Sequence, residues 1–310
     1  MKAERVQSSP ALEATRVPGR TAAWRAGRIA RRASLYVALL VGGLLMMIPF
    51  FWMFLTSLKT RAEVFAAAPL SLPSGPHWEN YATMWNAFGD VTFGTFFLNS
   101  VKIASLNTIG QVIACSMAAY AFAAISFRGR GVLFGILLAT LIIPFQVVLV
   151  PNFILWRSLP YPSSESGNFI GTQEPLWVGA FFGSAFGIFL LRQFFLAIPN
   201  ELADAARIDG ANPWQIFTRV YVPLAKPAIA TLAIFEFMWS WNDLINPLIY
   251  LRQLDQYTTT VGLAFFEGQF VGKWPEMMAG AMVSLLPMII LFVVAQKYFV
   301  RGIALTGLKG

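Results

Sequence analysis

The segment Glu201–Pro227 reads ELADAARIDGANPWQIFTRVYVPLAKP, and it decides the fold of this chain. It is polar and charged, yet apolar runs long enough to cross a bilayer lie on both sides of it. We expect it to be a cytoplasmic loop with a folded shape of its own. In a membrane protein, such a loop is expected to form a docking surface for a soluble partner.

Local signals in this segment predict two short helices joined by a tight turn. Asn200 can cap a helix that begins at Glu201, and Gly210 suits the left-handed residue that ends it. Asn212-Pro213 offers a second cap followed by a first-turn proline, and Pro223 is expected to stop the second helix. An amphipathic hairpin that lies on the membrane surface fits the same pattern.

The composition is that of an integral membrane protein. Hydrophobic residues make up 57% of the 310 residues and charged residues only 12%, whereas soluble domains carry about a quarter charged residues. Because roughly 20 apolar residues span a bilayer as a helix, we predict six spans. They are Ser34–Thr56, Phe96–Ser126, Val132–Val150, Leu176–Ala197, Ala228–Tyr250 and Met277–Gln296.

The formal net charge of +8 comes from basic residues whose placement matches a membrane topology, and it does not indicate a nucleic-acid surface. With six spans, the two termini and every second loop lie on the same side of the membrane, and most basic residues lie in these segments. The positive-inside rule makes that side the cytoplasm. Both termini are then cytoplasmic. Residues 1–33 are predicted to be a basic tail, disordered or lying on anionic lipid. A cleaved signal peptide is disfavoured, because the following run is long enough to be a true span.

The chain lacks the motifs of several enzyme and metal-binding classes. No G-x-x-x-x-G-K-[ST] loop and no G-x-S-x-G elbow occurs, so neither ATP hydrolysis by a P-loop nor an α/β-hydrolase site is expected. His77 is the only histidine, which excludes a multi-histidine metal site within the chain. Cys115 is the only cysteine and is interpreted as a packing residue.

The fifth predicted span carries polar and aromatic residues that need an explanation, because carboxylates at membrane depth are costly and usually face a cavity or another helix. Aromatic faces and hydrogen-bonding groups together suit a sugar. Interhelical hydrogen bonding with an interfacial tryptophan belt is the alternative. On one continuous helix, four of these residues share a face, with the fifth bordering it. The candidates for the substrate path are Glu236, Trp239, Asn242, Asp243 and Asn246.

The loop resembles the EAA loop of ABC importer permeases, whose pattern is E-A-A, three residues, G, nine residues, and I-x-L-P. Asp replaces Glu at Asp204, and valines stand at Val220 and Val222 for the two apolar positions. The resemblance implies a coupling helix that sits in a cleft of a cytoplasmic ATPase subunit. The coupling residues that it assigns are Asp204, Ala205, Ala206, Asp209, Gly210, Ala211 and Pro223.

A second likeness narrows the family. WNDLINPLIYL at Trp241–Leu251 resembles the W-N-[DE]-x-x-x-P-L segment of carbohydrate importer permeases, and the likeness runs from about residue 34 to the end. The similar subunits are the six-span partners in maltose-type heterodimers. The stretch Tyr161–Pro175 departs from the family in being more polar and longer, which leaves its role and the contact with a binding protein open.

The resemblance implies an all-α membrane protein of type I ABC importer architecture, with the permease domain at 34–310 and the coupling loop at 198–227. The expected function is the import of a sugar or related polyol across the cytoplasmic membrane by alternating access. The expected partners are a second permease, two ATPase subunits that bind ATP and Mg²⁺, and an extracytoplasmic solute-binding protein. The alternatives are an importer of another small solute and a proton-coupled carrier using Glu236 or Asp243.

Overall fold

The computed structural model describes residues 22–66, 68, 70–268 and 273–306. In this part of the chain, the regular structure is helical and no β-strand forms. The chain divides into two compact units, Met1–Trp52 and Met53–Gly310. The α-helices are α1 (Ala22–Ser57), α2 (Arg61–Ala66), α3 (Glu79–Trp85), α4 (Phe93–Ala124), α5 (Arg130–Ala139), α6 (Phe145–Ser158), α7 (Ala185–Leu196), α8 (Asn200–Ile208), α9 (Pro213–Ile216), α10 (Val222–Leu224), α11 (Lys226–Trp241), α12 (Ile245–Tyr250), α13 (Thr259–Gly268) and α14 (Trp274–Thr306).

Helix α1 begins twelve residues earlier than the predicted first span. Its stretch Ile29–Ser57 is long and apolar enough to cross a membrane, and the side chains along its most apolar part are exposed, as expected for a helix that faces lipid. The predicted disordered tail lies outside the described residues for 1–21. Residues 22–33 form the first turns of α1, so they are helical and not disordered, and their place on anionic lipid stays a prediction.

The core of the second unit is built around α4, which packs against α7 and α11. Cys115 and Tyr120 of α4 join Leu191 of α7 and Leu232 of α11 in one buried cluster. The three helices approach closely because α7 carries Gly187, where an added Cβ would lie 2.6 Å from the Cys115 sulfur. The coupling loop packs onto this cluster, so the core supports the loop directly.

A second cluster lies around the other end of α4 and is mainly aromatic. Phe93 and Phe96 of α4 pack with Phe88, and Phe88 meets Phe266 of α13 edge to face at 5.2 Å between ring centroids. Ala279 of α14 completes the contact. These contacts hold α3, α13 and the beginning of α14 against α4, and they form a folded region at the end of the bundle far from the coupling loop.

Among the described residues, four helices meet the length and hydropathy of a membrane span, and the number is six if each of two bent pairs counts as one span. The third predicted span is not straight. It divides into Arg130–Ile142 and Phe145–Ser158, which meet at 102°. Pro144 explains the break, because proline disfavours helix in the preceding residue and has no N–H to continue the ladder. Ile143 is accordingly extended, with ψ of 114°.

The fifth predicted span is also interrupted. Helix α11 ends at Trp241, Asn242–Leu244 leave the helical conformation, and α12 begins at Ile245. The prediction of one continuous helix over Ala228–Tyr250 is therefore wrong. The second, fourth and sixth predicted spans correspond to the stretches Phe93–Ala124, Val178–Leu196 and Trp274–Gln296.

Candidate functional site

The first helix of the loop, α8, ends in a complete Schellman motif. Gly210 adopts φ of +82°, its N–H donates to the Arg207 carbonyl at 3.0 Å, and the Ala211 N–H donates to the Ala206 carbonyl at 2.9 Å. These are the two bonds that define the motif. The start of α8 differs from the prediction, because Pro199 occupies the cap position and Asn200 is already helical.

The second helix begins as predicted and continues further than predicted. The Asn212 side chain accepts from the Gln215 N–H, and the Gln215 side chain accepts from the Asn212 N–H, both at 2.9 Å. This is a reciprocal capping box with Pro213 at the first helical position. Pro223 does not stop the helix. It lies inside α10, and the chain turns by 79° only around Ala225.

Aromatic packing fixes the loop to the membrane helices. The Tyr120 hydroxyl of α4 donates to the Pro213 carbonyl at 3.1 Å, and the Tyr120 ring lies 5.2 Å from that of Phe217 and 5.0 Å from that of Tyr221. Tyr221 also meets Phe195 of α7 edge to face. Residues Phe217–Tyr221 form a π-helical turn, which places Phe217 and Tyr221 together on the buried side. The loop is thus anchored to both α4 and α7.

The opposite side of α8 is exposed and combines acidic and apolar residues. Glu201, Asp204 and Ile208 follow the i, i+3, i+7 rhythm of one helical face, and all three are exposed. Ile208 is 87% exposed, although isoleucine is among the residue types most often buried. Trp214, on the next helix, is also exposed. Large apolar residues that remain accessible on a folded, anchored loop suit contact with a protein partner or with the membrane surface.

The predicted coupling residues divide between the two sides of the loop. Asp204, Ala205, Asp209, Gly210 and Pro223 are exposed. Ala206 and Ala211 are half-buried and pack against the core cluster, so their small size serves the Schellman turn and its attachment. Ile208 and Trp214 were not among the predicted coupling residues. Ile208 could have been recognised as a large apolar residue on the polar face of a short amphipathic helix, and Trp214 as one that directly follows the first-turn Pro213.

The predicted polar face of the fifth span does not exist as one face, because α11 ends before Asp243. Asn242 caps the end of α11 and donates to the Met238 carbonyl at 2.7 Å. Asp243 accepts from the backbone N–H and the side-chain amide of Asn246, at 3.2 and 2.7 Å, and thereby starts α12. Asp243 and Asn246 are therefore brought together, but they belong to a different helix from Glu236 and Trp239.

Glu236 lies within the helix packing at a second discontinuity. Ser184 caps the start of α7, just after Gly183 with φ of +78°. The Ser184 hydroxyl donates to a Glu236 carboxylate oxygen at 3.4 Å, and Cys115 contacts Ser184 as well. Glu236 thus joins α11 to the beginning of α7, where the positive end of the helix dipole favours a carboxylate.

The two tryptophans near the end of α11 have opposite environments. Trp239, a predicted site residue, is 78% exposed on the surface of this chain. Trp241 is 3% exposed, donates its indole N–H to the Ser284 carbonyl of α14 at 3.2 Å, and stacks on Phe237. Trp241 therefore joins α11 to α14, and Trp239 is available to lipid, solute or another subunit.

Among the residues that the structure describes, no group of three or more His, Cys, Asp or Glu side chains is placed to hold a metal ion.

Comparison with known proteins agrees with this arrangement. Residues 110–305 match the family model described as "Binding-protein-dependent transport system inner membrane component". The chain is 33% identical to the osmoprotective compounds uptake permease protein GgtD of Synechocystis, over 90% of this chain and 93% of that one. It is 31% identical to the arabinooligosaccharides transport system permease protein AraQ of Bacillus subtilis, over 90% and 96% of the two chains. It is 30% identical to the sn-glycerol-3-phosphate transport system permease protein UgpE of Yersinia pestis, over 86% and 94%.

A solved structure shares the fold. The chain superimposes with a TM-score of 0.72 and 26% identity on a chain of a bacterial ABC transporter involved in the import of the acidic polysaccharide alginate, covering 88% of this chain and 98% of that one. The coupling loop at 198–227 lies within residues 110–305, the part of the chain that matches the family model. The chain therefore belongs to the family of inner membrane components of binding-protein-dependent transport systems, which are the permease subunits of ABC importers.

Proposed function

We propose that this permease imports a sugar, oligosaccharide or related polyol. The similar proteins are named for the transport of arabino-oligosaccharides, sn-glycerol 3-phosphate and alginate. These solutes all carry hydroxyl groups on their carbon atoms, and they differ in charge and length. The polar and aromatic residues near the end of α11 suit such groups, because hydroxyls need hydrogen-bond partners and aromatic faces cover the apolar side of a sugar ring.

The proposed assembly contains a second permease, two ATPase subunits and an extracytoplasmic solute-binding protein. ATP and Mg²⁺ are bound by the ATPase subunits, and this chain supplies no catalytic residue and no metal ligand. The coupling loop and both termini lie in the cytoplasm. This orientation is supported by the placement of Arg128, Arg130, Arg192 and Arg219, which follows the positive-inside rule.

One observation carries the proposed mechanism: the coupling loop is anchored on its inner side and exposed on its outer side. Tyr120 and Tyr221 fix the loop to α4 and α7, while Glu201, Asp204 and Ile208 face outward. When the ATPase subunits close on ATP, a force applied to this outer face passes through the aromatic contacts into the membrane helices. The bundle then changes the side on which its cavity opens.

We propose that the solute path passes the two helix breaks, at Ser184 and at 242–244, and that no single polar face lines it. Glu236 with Ser184 forms one polar position, and Asp243 with Asn246 forms the other. Asn242 and Trp239 border the second position and are exposed on this chain. Polar groups at broken membrane helices are costly unless they face a cavity or another subunit, which supports their place along the path between the two permeases.

The experiment compares charge reversal at two acidic residues of α8. Asp204→Lys and Glu201→Lys are each introduced, and the amount of ATPase that co-purifies with the permease is measured. We expect Asp204→Lys to lower ATPase recovery severalfold and to abolish ATP-dependent uptake. Glu201→Lys is the matched control, because it changes the same charge at the start of the same helix but outside the core of the motif.

Equal or greater loss with Glu201→Lys would contradict the assignment of Asp204. Because Asp204 is paired with Arg207, the double variant Asp204→Lys/Arg207→Glu tests whether that exposed pair alone matters. An exposed pair contributes roughly 0–1 kcal/mol, so restoring it is not expected to restore ATPase binding.

A further inference from the structure

The polar stretch 161–175, for which the family resemblance gives no role, is an ordered structure fixed to its neighbours. Its Gly171 N–H donates to the Tyr250 carbonyl at 2.7 Å, and Glu165 accepts from the Gln253 side chain at 3.0 Å. Within the stretch, the rings of Tyr161 and Phe169 stack with centroids 4.6 Å apart. The loop is therefore held in one conformation against the segment that follows α12.

Side-chain amides join this loop to α4 as well. Gln173 is buried, accepts from the Lys102 ammonium at 3.0 Å and donates to the Gln256 carbonyl at 2.9 Å. Asn99 of α4 donates to the carbonyls of Asp255 and Tyr257, at 2.7 and 3.0 Å. Three segments that are distant in sequence thus meet through the side-chain amides of Asn99 and Gln173.

A cleft of about 370 Å³ lies between these three segments, within the usual range of small-molecule sites. It is open on one side and lined by polar residues alone. Among the described residues, the cleft is lined by Asn99, Lys102, Tyr161, Ser163, Thr172, Gln173, Glu174, Asp255 and Gln256. Such a lining favours a polar occupant over an apolar one.

The lining offers donors and acceptors in a mixture that suits hydroxyl groups. Lys102 uses one donor on Gln173, and an ammonium has three. Glu174 and Asp255 place carboxylate acceptors on the same lining. Since a hydroxyl both donates and accepts, it can satisfy both kinds of group. A simple ion fits poorly, because the lining combines the cationic Lys102 with the carboxylates of Glu174 and Asp255.

Tyr161 adds an aromatic face whose hydroxyl stays protonated. The Glu174 carboxylate, which accepts from this hydroxyl at 3.4 Å, raises the pKa of Tyr161 above its ordinary value. The ring is neutral at physiological pH and can cover the apolar C–H face of a pyranose or furanose.

The cleft lies at the end of α4 that is far from the coupling loop. At 1.5 Å per residue, Asn99 and Tyr120 are about 32 Å apart along this helix, which is close to the thickness of the hydrocarbon core of a bilayer. If the coupling loop is cytoplasmic, as the proposed function requires, the cleft opens on the side from which the solute arrives.

We propose that this cleft is a binding site for a neutral sugar or polyol at the outer mouth of the permease. The site is separate from the helix breaks of the solute path and retains the solute by hydrogen bonds to its hydroxyl groups. It rests on the proposed function for the identity of its ligand class, but its binding does not depend on ATP.

The test measures protection of a cysteine placed in the cleft. Ser163→Cys is made in a Cys115→Ser background, in the complete transporter reconstituted in lipid nanodiscs without its binding protein. The labelling rate with a water-soluble maleimide is measured with D-glucose, L-arabinose, maltose or sorbitol. We expect at least one of them to slow labelling about threefold at twice its Kd, because protection scales as 1 + [L]/Kd.

Two matched controls accompany this measurement. Ser74→Cys is exposed on a neighbouring loop outside the cleft, and its labelling rate should be unaffected by every probe. Asp255→Asn in the Ser163→Cys background should abolish protection, whereas Asp90→Asn, the same substitution at an exposed residue outside the cleft, should preserve it.

Three results would overturn the site: no protection by any of the four probes, equal slowing at Ser163→Cys and Ser74→Cys, or protection by sn-glycerol 3-phosphate alone, which would make it an anion site. Co-purification of the ATPase is recorded in the same preparations. If it is normal while protection is absent, the cleft proposal fails and the proposed function remains. If the ATPase does not co-purify even without substitutions, the proposed function fails.

Discussion

The coupling loop and the end of the fifth span are both polar interruptions in an apolar chain, but they are built differently. In the loop, short-range signals determine the backbone: Gly210 ends α8, and Asn212 begins α9 through a capping box. At the end of the fifth span, a local contact is combined with one to another helix. The Asp243 side chain accepts from Asn246, three residues further on, and the Asp243 carbonyl accepts from the Thr260 hydroxyl of α13 at 2.7 Å.

This difference explains why residues in the loop can be assigned from sequence and those in the span cannot. Caps and left-handed glycines act over a few residues and carry recognisable residue types. The break after Trp241 contains no glycine, and the nearest proline, Pro247, lies inside α12. When the helical repeat is counted across this break, Glu236 and Asp243 are assigned to one face. In the structure they belong to different segments and share no helical face.

Among the tests of this comparison between the coupling loop and the fifth span, Gly210→Asp is expected to have the largest effect. We expect normal membrane insertion and a complete loss of ATP-dependent uptake. An added Cβ would meet nothing within 4 Å in this chain, so the substitution costs only the strain of the left-handed conformation, about 1–2 kcal/mol. The loss of uptake would come from a charged side chain on the face that meets the ATPase. Uptake and ATPase recovery are measured in the same membranes.

Gly129→Asp is the matched control for this substitution. Gly129 also has positive φ, +86°, and open space around its Cβ position, but it precedes α5 instead of lying in the coupling loop. The two variants therefore carry the same strain and the same charge change. If both abolish uptake, or if Gly210→Asp transports normally, the role of Gly210 in docking is wrong.

A second test separates the two tryptophans of α11. Trp241→Ala should destabilise the permease by about 3–5 kcal/mol, because it removes a buried indole from the contact between α11 and α14. Trp239→Ala should change stability by no more than about 0.5 kcal/mol, because Trp239 is exposed on this chain. Thermal unfolding midpoints of the purified permease in one detergent measure the difference.

Trp241→Phe refines this test, since it keeps an aromatic ring against Phe237 but removes the indole N–H bond to Ser284 and part of the buried ring. The expected loss is more than about 1 kcal/mol, because the missing hydrogen bond costs about 1 kcal/mol and the missing ring atoms leave a cavity. Equal shifts of the unfolding midpoint for Trp239→Ala and Trp241→Ala would contradict this difference, because the exposed Trp239 would then stabilise the fifth span as much as the buried Trp241.

Much of the fold could be predicted from the sequence, because apolar length and charge placement act on whole segments. The second and sixth spans lie within a few residues of their predicted positions. The bend at Pro144 was visible as a proline within the third predicted span, but its angle depends on the packing of α5 and α6. The cleft between α4 and the stretch 161–175 could not be predicted, because Asn99, Gln173 and Gln256 meet only through tertiary contacts.

The smallest expected effect concerns a third turn built by local signals. Thr60 and Glu63 form a capping box at the start of α2: the Glu63 carboxylate accepts from the Thr60 N–H at 2.8 Å, and the Thr60 hydroxyl accepts from the Glu63 N–H at 3.3 Å. Hydrogen bonds from Ser74 and Thr60 lower the pKa of Glu63 from 4.5 to about 2. A carboxylate whose pKa is lower in the folded state stabilises the fold at any pH above its pKa in the unfolded state. That contribution disappears as the pH falls through its pKa in the folded state.

Glu63→Gln should therefore lower the unfolding midpoint slightly at pH 7, and the difference from the unsubstituted chain should shrink between about pH 4.5 and 2. Glu267→Gln, which changes the same charge in α13, is the control. A difference that stays constant over this pH range would mean that the Glu63 carboxylate does not stabilise the turn through its charge.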